Sequence, residues 1–327
     1  MNTATELLHD VRSGSRRALS KCLSVLESTR EQDRLLAYEL LSECKPHAET
    51  WRIGITGPPG VGKSSFLEEF GQALMTKGRK VAVLAVDPSS TRTGGSILGD
   101  KVRMPILSLD NRAFVRPSPS RACLGGVTPT TRDAILLCEE AGYDTILVET
   151  VGVGQSEIEV GSMVDMFMLL VLPTAGDEVQ GVKRGIMEMA HAILVTKSDI
   201  DQGATNRATA ILRSSMQFMM PSAEGWTVPI LPISVVSHSG VDETLDIVGK
   251  FFAHERDAVR ASLRREQRMQ WFDTALHQEL LGVLMSQASA TAVLSSMREH
   301  AVAGNVPPTL AVHRLLTHLT FSIKEQP

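Results

Sequence analysis

Cysteine is scarce in this chain: four occur among 327 residues (Cys22, Cys44, Cys123 and Cys138), widely spaced and never as C-x-x-C. That usage suits reduced thiols in a cytosolic compartment and gives neither a disulfide framework nor a metal framework. A basic block is also absent. The 33 Lys and Arg residues are outnumbered by 37 Asp and Glu, which argues against a nucleic-acid partner. No run of about 18 apolar residues occurs, so no segment reads as a membrane span. The N-terminus lacks a hydrophobic signal core. Its Arg12, Arg16, Arg17 and Lys21 are interspersed with Glu6, Asp10, Glu27, Glu31 and Asp33, unlike the acid-poor transit peptides. The expected location is the cytoplasm. Internal repeats and low-complexity segments are missing too.

What is present suffices for one large α/β domain with helical extensions, or for two smaller domains. Residues 1–50 read as an N-terminal helical extension, with Leu7, Leu8 and Val11, then Leu19, Cys22, Leu23 and Leu26, then Leu35, Leu36 and Leu40 at helical spacing. Ser13-Gly14 separates the first two helices. Residues 51–250 alternate strands with helices. Strands are predicted at 53–56, 81–86, 114–116, 145–149, 167–172, 192–196 and 228–233, mostly as continuous apolar runs suited to a mainly parallel sheet covered on both faces. Thr130-x-x-Asp133 resembles the start of a capped helix. The fold class expected is a doubly wound, three-layer α/β fold.

Residues 251–327 read as a C-terminal helical region. One long helical pattern is predicted from Phe251 to Leu284, then a pair at about 290–302 and 308–323. Apolar side chains on a projecting helix need a covering surface, either a homodimer seam or packing within the chain.

The most specific motif is Gly57, Pro58, Pro59, Gly60, Val61, Gly62, Lys63 and Ser64, followed by Ser65. It fits G-x-x-x-x-G-K-[ST] and lies between a predicted strand and a predicted amphipathic helix, the setting of a phosphate-binding loop. Glycines let successive N–H groups point at phosphate oxygens, and the helix N-terminus adds its positive dipole end. Lys63 is placed to reach the β- and γ-phosphates, and the Ser64 hydroxyl to coordinate Mg²⁺.

Further segments extend the site. Asp87 ends a predicted strand, where it reads as a Mg²⁺-side acid or as a turn aspartate before proline. Glu149-x-x-Gly152 takes the place of the usual D-x-x-G, with an acid for Mg²⁺ and a glycine N–H for the γ-phosphate. Gln155 is a candidate to position the attacking water, although it lies three residues past Gly152. Thr196-Lys197-Ser198-Asp199 is a variant of the guanine-reading N-K-x-D, in which the Asp199 carboxylate accepts from guanine N1–H and the 2-amino group while the Lys197 stem covers the base. Ser234 and Val235 follow the next strand, where a base-contacting loop commonly lies. Asp100, in the glycine-rich loop 91–103, reads as a Mg²⁺ contact ordered by GTP or as a solvated acid.

Other signals carry less. His313 and His318 stand five apart, about 140° around a helix, so they do not share a face as paired zinc ligands must. The methionines at 163, 166, 168, 187 and 189 read as core or interface filler.

The segments 57–65, 86–90, 95–104 and 149–156, in this order, resemble the MeaB/ArgK family, and the likeness extends over nearly the whole chain, both helical extensions included. The resemblance implies a homodimeric GTPase on the P-loop NTPase fold, with the C-terminal helices forming the dimer. It implies GTP and GDP as ligands, Mg²⁺ as the metal, and slow intrinsic hydrolysis accelerated by a partner. That partner is the adenosylcobalamin-dependent methylmalonyl-CoA mutase, whose cofactor delivery and protection the GTPase gates. By position, Lys63 and Ser64 bind phosphate and Mg²⁺, Asp87, Asp100 and Glu149 are the metal-side acids, and Asp199 reads guanine. The loop 177–184 looks like an additional switch with Lys183 as a charge stabiliser, although its residues alone fit a plain charged connection equally well. Other classes fare less well. A protein kinase needs a catalytic base and an acceptor groove, for which no motif stands out. GTPases that insert nickel or zinc carry His-rich or Cys-rich tracts, absent here. A nucleotide-binding scaffold without turnover conflicts with the intact Lys63, Ser64 and acids.

Overall fold

The computed structural model describes residues 3–28, 30–45, 47–87, 104–119, 129–150, 156–173, 184–219, 223–255, 257–286 and 288–318. The chain forms two compact units, Met1–Gln267 and Arg268–Pro327.

Seven described strands build the centre of the first unit: β1 (Trp51–Thr56), β2 (Val81–Asp87), β3 (Ala113–Pro119), β4 (Thr145–Thr150), β5 (Met166–Val171), β6 (Ala192–Val195) and β7 (Ile230–Pro232). They lie in the order β3-β2-β4-β1-β5-β6-β7, and every pairing is parallel. β4, β5 and β6 are buried at each position, which is why their sequences are apolar without alternation. All seven strands fall where the sequence predicts them, although β7 is trimmed to three residues.

Ten described helices surround the sheet: α1 (Ala4–Arg12), α2 (Arg16–Leu26), α3 (Glu31–Ser42), α4 (Lys63–Thr76), α5 (Pro105–Leu109), α6 (Pro129–Glu140), α7 (Ser156–Gly161), α8 (Arg184–Glu188), α9 (Gln202–Met216) and α10 (Val241–His254). On one face, Phe66, Phe70 and Leu74 of α4 and Val248 and Phe251 of α10 pack with Ile53, Val83, Leu147 and Met168. On the other, Leu137 and Cys138 of α6 and Val160 of α7 pack with Ala82, Leu84, Ile146 and Val148. The N-terminal helices extend this second layer, because Leu7, Leu8, Val11, Leu19, Leu23 and Leu40 are buried in the same cluster. This is the expected three-layer α/β fold.

Two helix boundaries differ from the sequence reading. α6 opens on Pro129, so Thr130 lies inside the helix and does not cap it. A proline is well suited to a first helical position, where no N–H is needed. The single long helix expected from Phe251 is also two: α10 ends at His254, and Glu255 is extended (φ −70°, ψ 97°) before α11 (Asp257–Ser286) begins. Phe251 and Phe252 therefore belong to the core, stacked or edge-on with Trp51 and Trp226.

The first turns of α11 are fastened within the first unit by Arg264. Its guanidinium makes two 2.7 Å bonds to the Asp165 carboxylate and donates to the carbonyls of His47 (2.9 Å) and Thr50 (2.6 Å). The planar fork of arginine fits such bidentate pairing, and the backbone acceptors occupy its remaining donors. In the second unit, α12 (Ala288–Val302) and α13 (Pro308–His318) pack on each other. Met269, Phe272, Leu276 and Leu280 of α11 are exposed. Among the described residues no helix is long and apolar enough to cross a membrane.

Candidate functional site

Parallel strands deliver all their C-terminal ends to one edge of the sheet, and in open α/β sheets ligands bind there. β1 ends at Thr56 and runs into the glycine loop. The Thr56 and Thr150 hydroxyls meet at 2.7 Å, tying the end of β1 to that of β4. Gly57 (φ 151°) passes so close to β5 that a Cβ would stand 2.4 Å from the Leu170 carbonyl oxygen, which excludes any side chain. Gly62 takes the left-handed conformation (φ 98°, ψ 28°) needed to turn the loop into α4. Val61 is fully buried between them, while Pro59, Gly60 and Ser65 face outward.

Lys63 opens α4 and is buried (8% exposed). Its ammonium donates to the carbonyls of Gly57 (2.7 Å) and Pro58 (3.2 Å). Burial lowers its pKa, and the charges of Glu149 and then Glu157 oppose that shift. The next residue, Ser64, donates its hydroxyl to Glu149 Oε1 at 3.2 Å. A hydroxyl and a carboxylate meeting at the start of a phosphate-loop helix are hard oxygen donors, the set that Mg²⁺ takes alongside substrate phosphates and water. The described residues hold no group of three His, Cys, Asp or Glu able to form a dedicated metal cage. A phosphate-bridged Mg²⁺ needs none, so Ser64 and Glu149 fit that ion.

The base-reading segments lie at the ends of β6 and β7. Thr196 stands where the usual motif has asparagine, and its hydroxyl lies 2.9 Å from the Val61 carbonyl and 3.2 Å from that of Val171. It therefore ties the base loop directly to the phosphate loop, so the substitution keeps a short polar link. Lys197 takes φ 54°, and Ser198 N–H donates to the Ile233 carbonyl at 3.1 Å. Asp199 is exposed just beyond. Across from it, Ser234 and Ser239 exchange backbone bonds of 3.0 Å, and the Ser234 hydroxyl accepts from Ser237 N–H at 3.2 Å, closing a tight loop that includes Val235. Lys197 and His238 are the non-glycine residues with positive φ among those described. Such conformations concentrate at ligand clamps, and these two lie in the two loops expected to hold guanine.

Asp87 ends β2 in register with Pro119, which brings its backbone to the same sheet edge. Asp100, Gly152, Gln155 and Lys183 lie outside the described residues.

Sequence reasoning missed two residues of α4 that grip neighbouring segments. Glu68 accepts from Ile106 N–H (2.6 Å) and Leu107 N–H (3.3 Å), holding α5 against α4. Its neighbour Glu69 pairs with the His238 ring. Consecutive glutamates in a helix look like solvated residues until the loops they grip are placed beside them.

Removing the Thr196 hydroxyl should weaken both GDP and GTP binding. We expect Thr196→Val to lower both affinities about 10-fold, because the Val61 carbonyl loses its donor and the two loops lose their tie. Titration with fluorescent GDP and GTP analogues checks this; a loss confined to GTP would place the residue on the γ-phosphate side instead.

A parallel sheet whose first strand feeds a glycine loop and a buried lysine, with a serine–carboxylate pair beside them and a K-x-D loop two strands away, defines a P-loop GTPase. A family described as "Methylmalonyl Co-A mutase-associated GTPase MeaB" matches residues 19–289. The chain belongs to this family. It is 41% identical over 292 residues to the Escherichia coli protein named GTPase ArgK, covering 87% of each chain. It is 41% identical over 319 residues to the mouse methylmalonic aciduria type A homolog, mitochondrial, covering 93% of this chain and 76% of the relative. A solved structure described as an LAO/AO transport system kinase superposes with a TM-score of 0.74 at 31% identity, covering 97% of this chain and 98% of the other.

Proposed function

We propose that this GTPase is a cytoplasmic chaperone of methylmalonyl-CoA mutase, gating adenosylcobalamin delivery to the mutase and protecting it from inactivation. Guanine nucleotide binds between the Lys63 loop and the Asp199 loop. Lys63 leaves the Gly57 and Pro58 carbonyls for the β- and γ-phosphates, while Ser64 and Glu149 would hold Mg²⁺, which would supply charge neutralisation. Asp87 and Asp100 complete the metal side, Gly152 senses the γ-phosphate, and Lys183 adds positive charge when the partner docks. The C-terminal helices form a homodimer, which would cover the apolar side chains of α11.

The observation that carries this reading is the bond between Ser64 and Glu149 beside a buried Lys63, since it assembles hydrolytic machinery and not only a nucleotide cradle. The link to the mutase is supported by the family description and by the relatives named for methylmalonic aciduria. The test is phosphate release from GTP by the purified chain, with and without methylmalonyl-CoA mutase, using ATP as control. Slow GTP-specific hydrolysis accelerated by the mutase is the expected result. Hydrolysis indifferent to the mutase would leave the GTPase standing and remove this client.

A further inference from the structure

Glu157 is a buried acid without a complete set of partners. It is 4% exposed, and its Oε2 is among the few buried side-chain polar atoms of the described residues with no hydrogen-bond partner. Native proteins seldom leave such an atom unsatisfied, and a catalytic task is one of the recognised reasons. Its place suggests that task. Glu157 is the second residue of α7, which packs on β4 and β1, the strands that deliver Glu149 and the phosphate loop. The charge of Glu157 is felt by Lys63. Yet Lys63 spends its described bonds on Gly57 and Pro58, and Glu149 is engaged with Ser64. One carboxyl oxygen of an acid whose charge reaches the phosphate-binding lysine thus has an open acceptor site, and no described residue donates to it.

We propose that Glu157 is a catalytic residue whose Oε2 accepts a hydrogen bond from the water that attacks the γ-phosphate. This deepens the GTPase reading above and rests on it. The water oxygen forms a bond to the γ-phosphorus as the bond from that phosphorus to the β–γ bridging oxygen breaks. GDP leaves with the electron pair of the broken bond. The water proton passes to Oε2 and then to the released phosphate, so the carboxyl group is regenerated.

The test uses the full chain as wild type, Glu157→Gln and Glu157→Met, with three readouts: affinity for a fluorescent GTP analogue, single-turnover phosphate release, and melting temperature. Both variants should bind GTP within about 3-fold of wild type and release phosphate about 100-fold more slowly. The methionine form should melt at an equal or higher temperature, because it removes an acceptor that has no partner, whereas the glutamine form keeps a polar group there and should melt close to wild type. A purely structural role gives the opposite signature, with lower melting temperature and GTP and GDP affinity lost together, and that outcome overturns the proposal. So does a wild-type rate in either folded variant, the methionine form serving if the glutamine form does not fold. Wild-type protein that binds GTP and releases no phosphate would overturn the GTPase reading itself, whereas an active wild type with unimpaired variants removes Glu157 alone.

Discussion

Lys63→Ala is expected to abolish GTP turnover, with a fall in kcat of at least about 1,000-fold, and to cripple nucleotide binding. The Lys63 ammonium is held by two loop carbonyls and is nearly enclosed. Its charge is therefore aimed into the loop and little screened by water. A partly desolvated ammonium beside phosphate oxygens contributes far more than one on a surface, since the attraction grows as the local dielectric falls. Alanine removes the charge and also strips the Gly57 and Pro58 carbonyls of a donor, so the variant needs a melting curve beside the kinetics. Near-normal phosphate release from a folded variant would sink the assignment of residues 57–64 as the phosphate site.

The second large effect concerns the base. Asp199→Asn should reduce GTP affinity about 100-fold or more and shift preference towards xanthosine triphosphate. A carboxylate offers only acceptors, matching guanine N1–H and the 2-amino group. An asparagine amide presents a donor where guanine also presents one, whereas the 2-oxo group of xanthine accepts from it. The loop is held to give one answer: Thr196 is anchored on Val61, Lys197 is in a left-handed conformation and Ser198 is bonded to Ile233. Asp199 is thus carried on a rigid turn. Competition between the two triphosphates, for wild type and variant, provides the measurement. Unchanged GTP affinity would place the guanine contact elsewhere.

These assignments differ in how far the sequence could reveal them. The strands were readable because a strand buried on both faces has no polar position, and TILVET, MFMLLV and AILV leave little alternative. The phosphate loop was readable because its glycines are imposed by backbone geometry and close approach. The break between α10 and α11 was hidden, since neither glycine nor proline marks residues 254–257 and the apolar rhythm continues across them. Tertiary packing of Phe252 against Trp51 and of Phe251 against Trp226 ends the helix in practice. The pairing of Glu69 with His238 spans 169 positions, and no local pattern encodes it. Thr196 is instructive in a different way. As a letter it departs from N-K-x-D, but as a hydroxyl within reach of Val61 it supplies a tie between the two loops. Glu157 could have been suspected only from its nearness to the switch-like segment 149–156; what distinguishes it is a buried Oε2 with no hydrogen-bond partner, which only coordinates reveal.

The contacts of Lys63 with its own loop also bear on ligand choice. Two carbonyls, those of Gly57 at 2.7 Å and Pro58 at 3.2 Å, compete for the ammonium that a phosphate needs. A neutral ligand gains too little to draw the side chain away from them, whereas the concentrated negative charge of a phosphate favours the exchange. The loop thus filters by charge before any base is read.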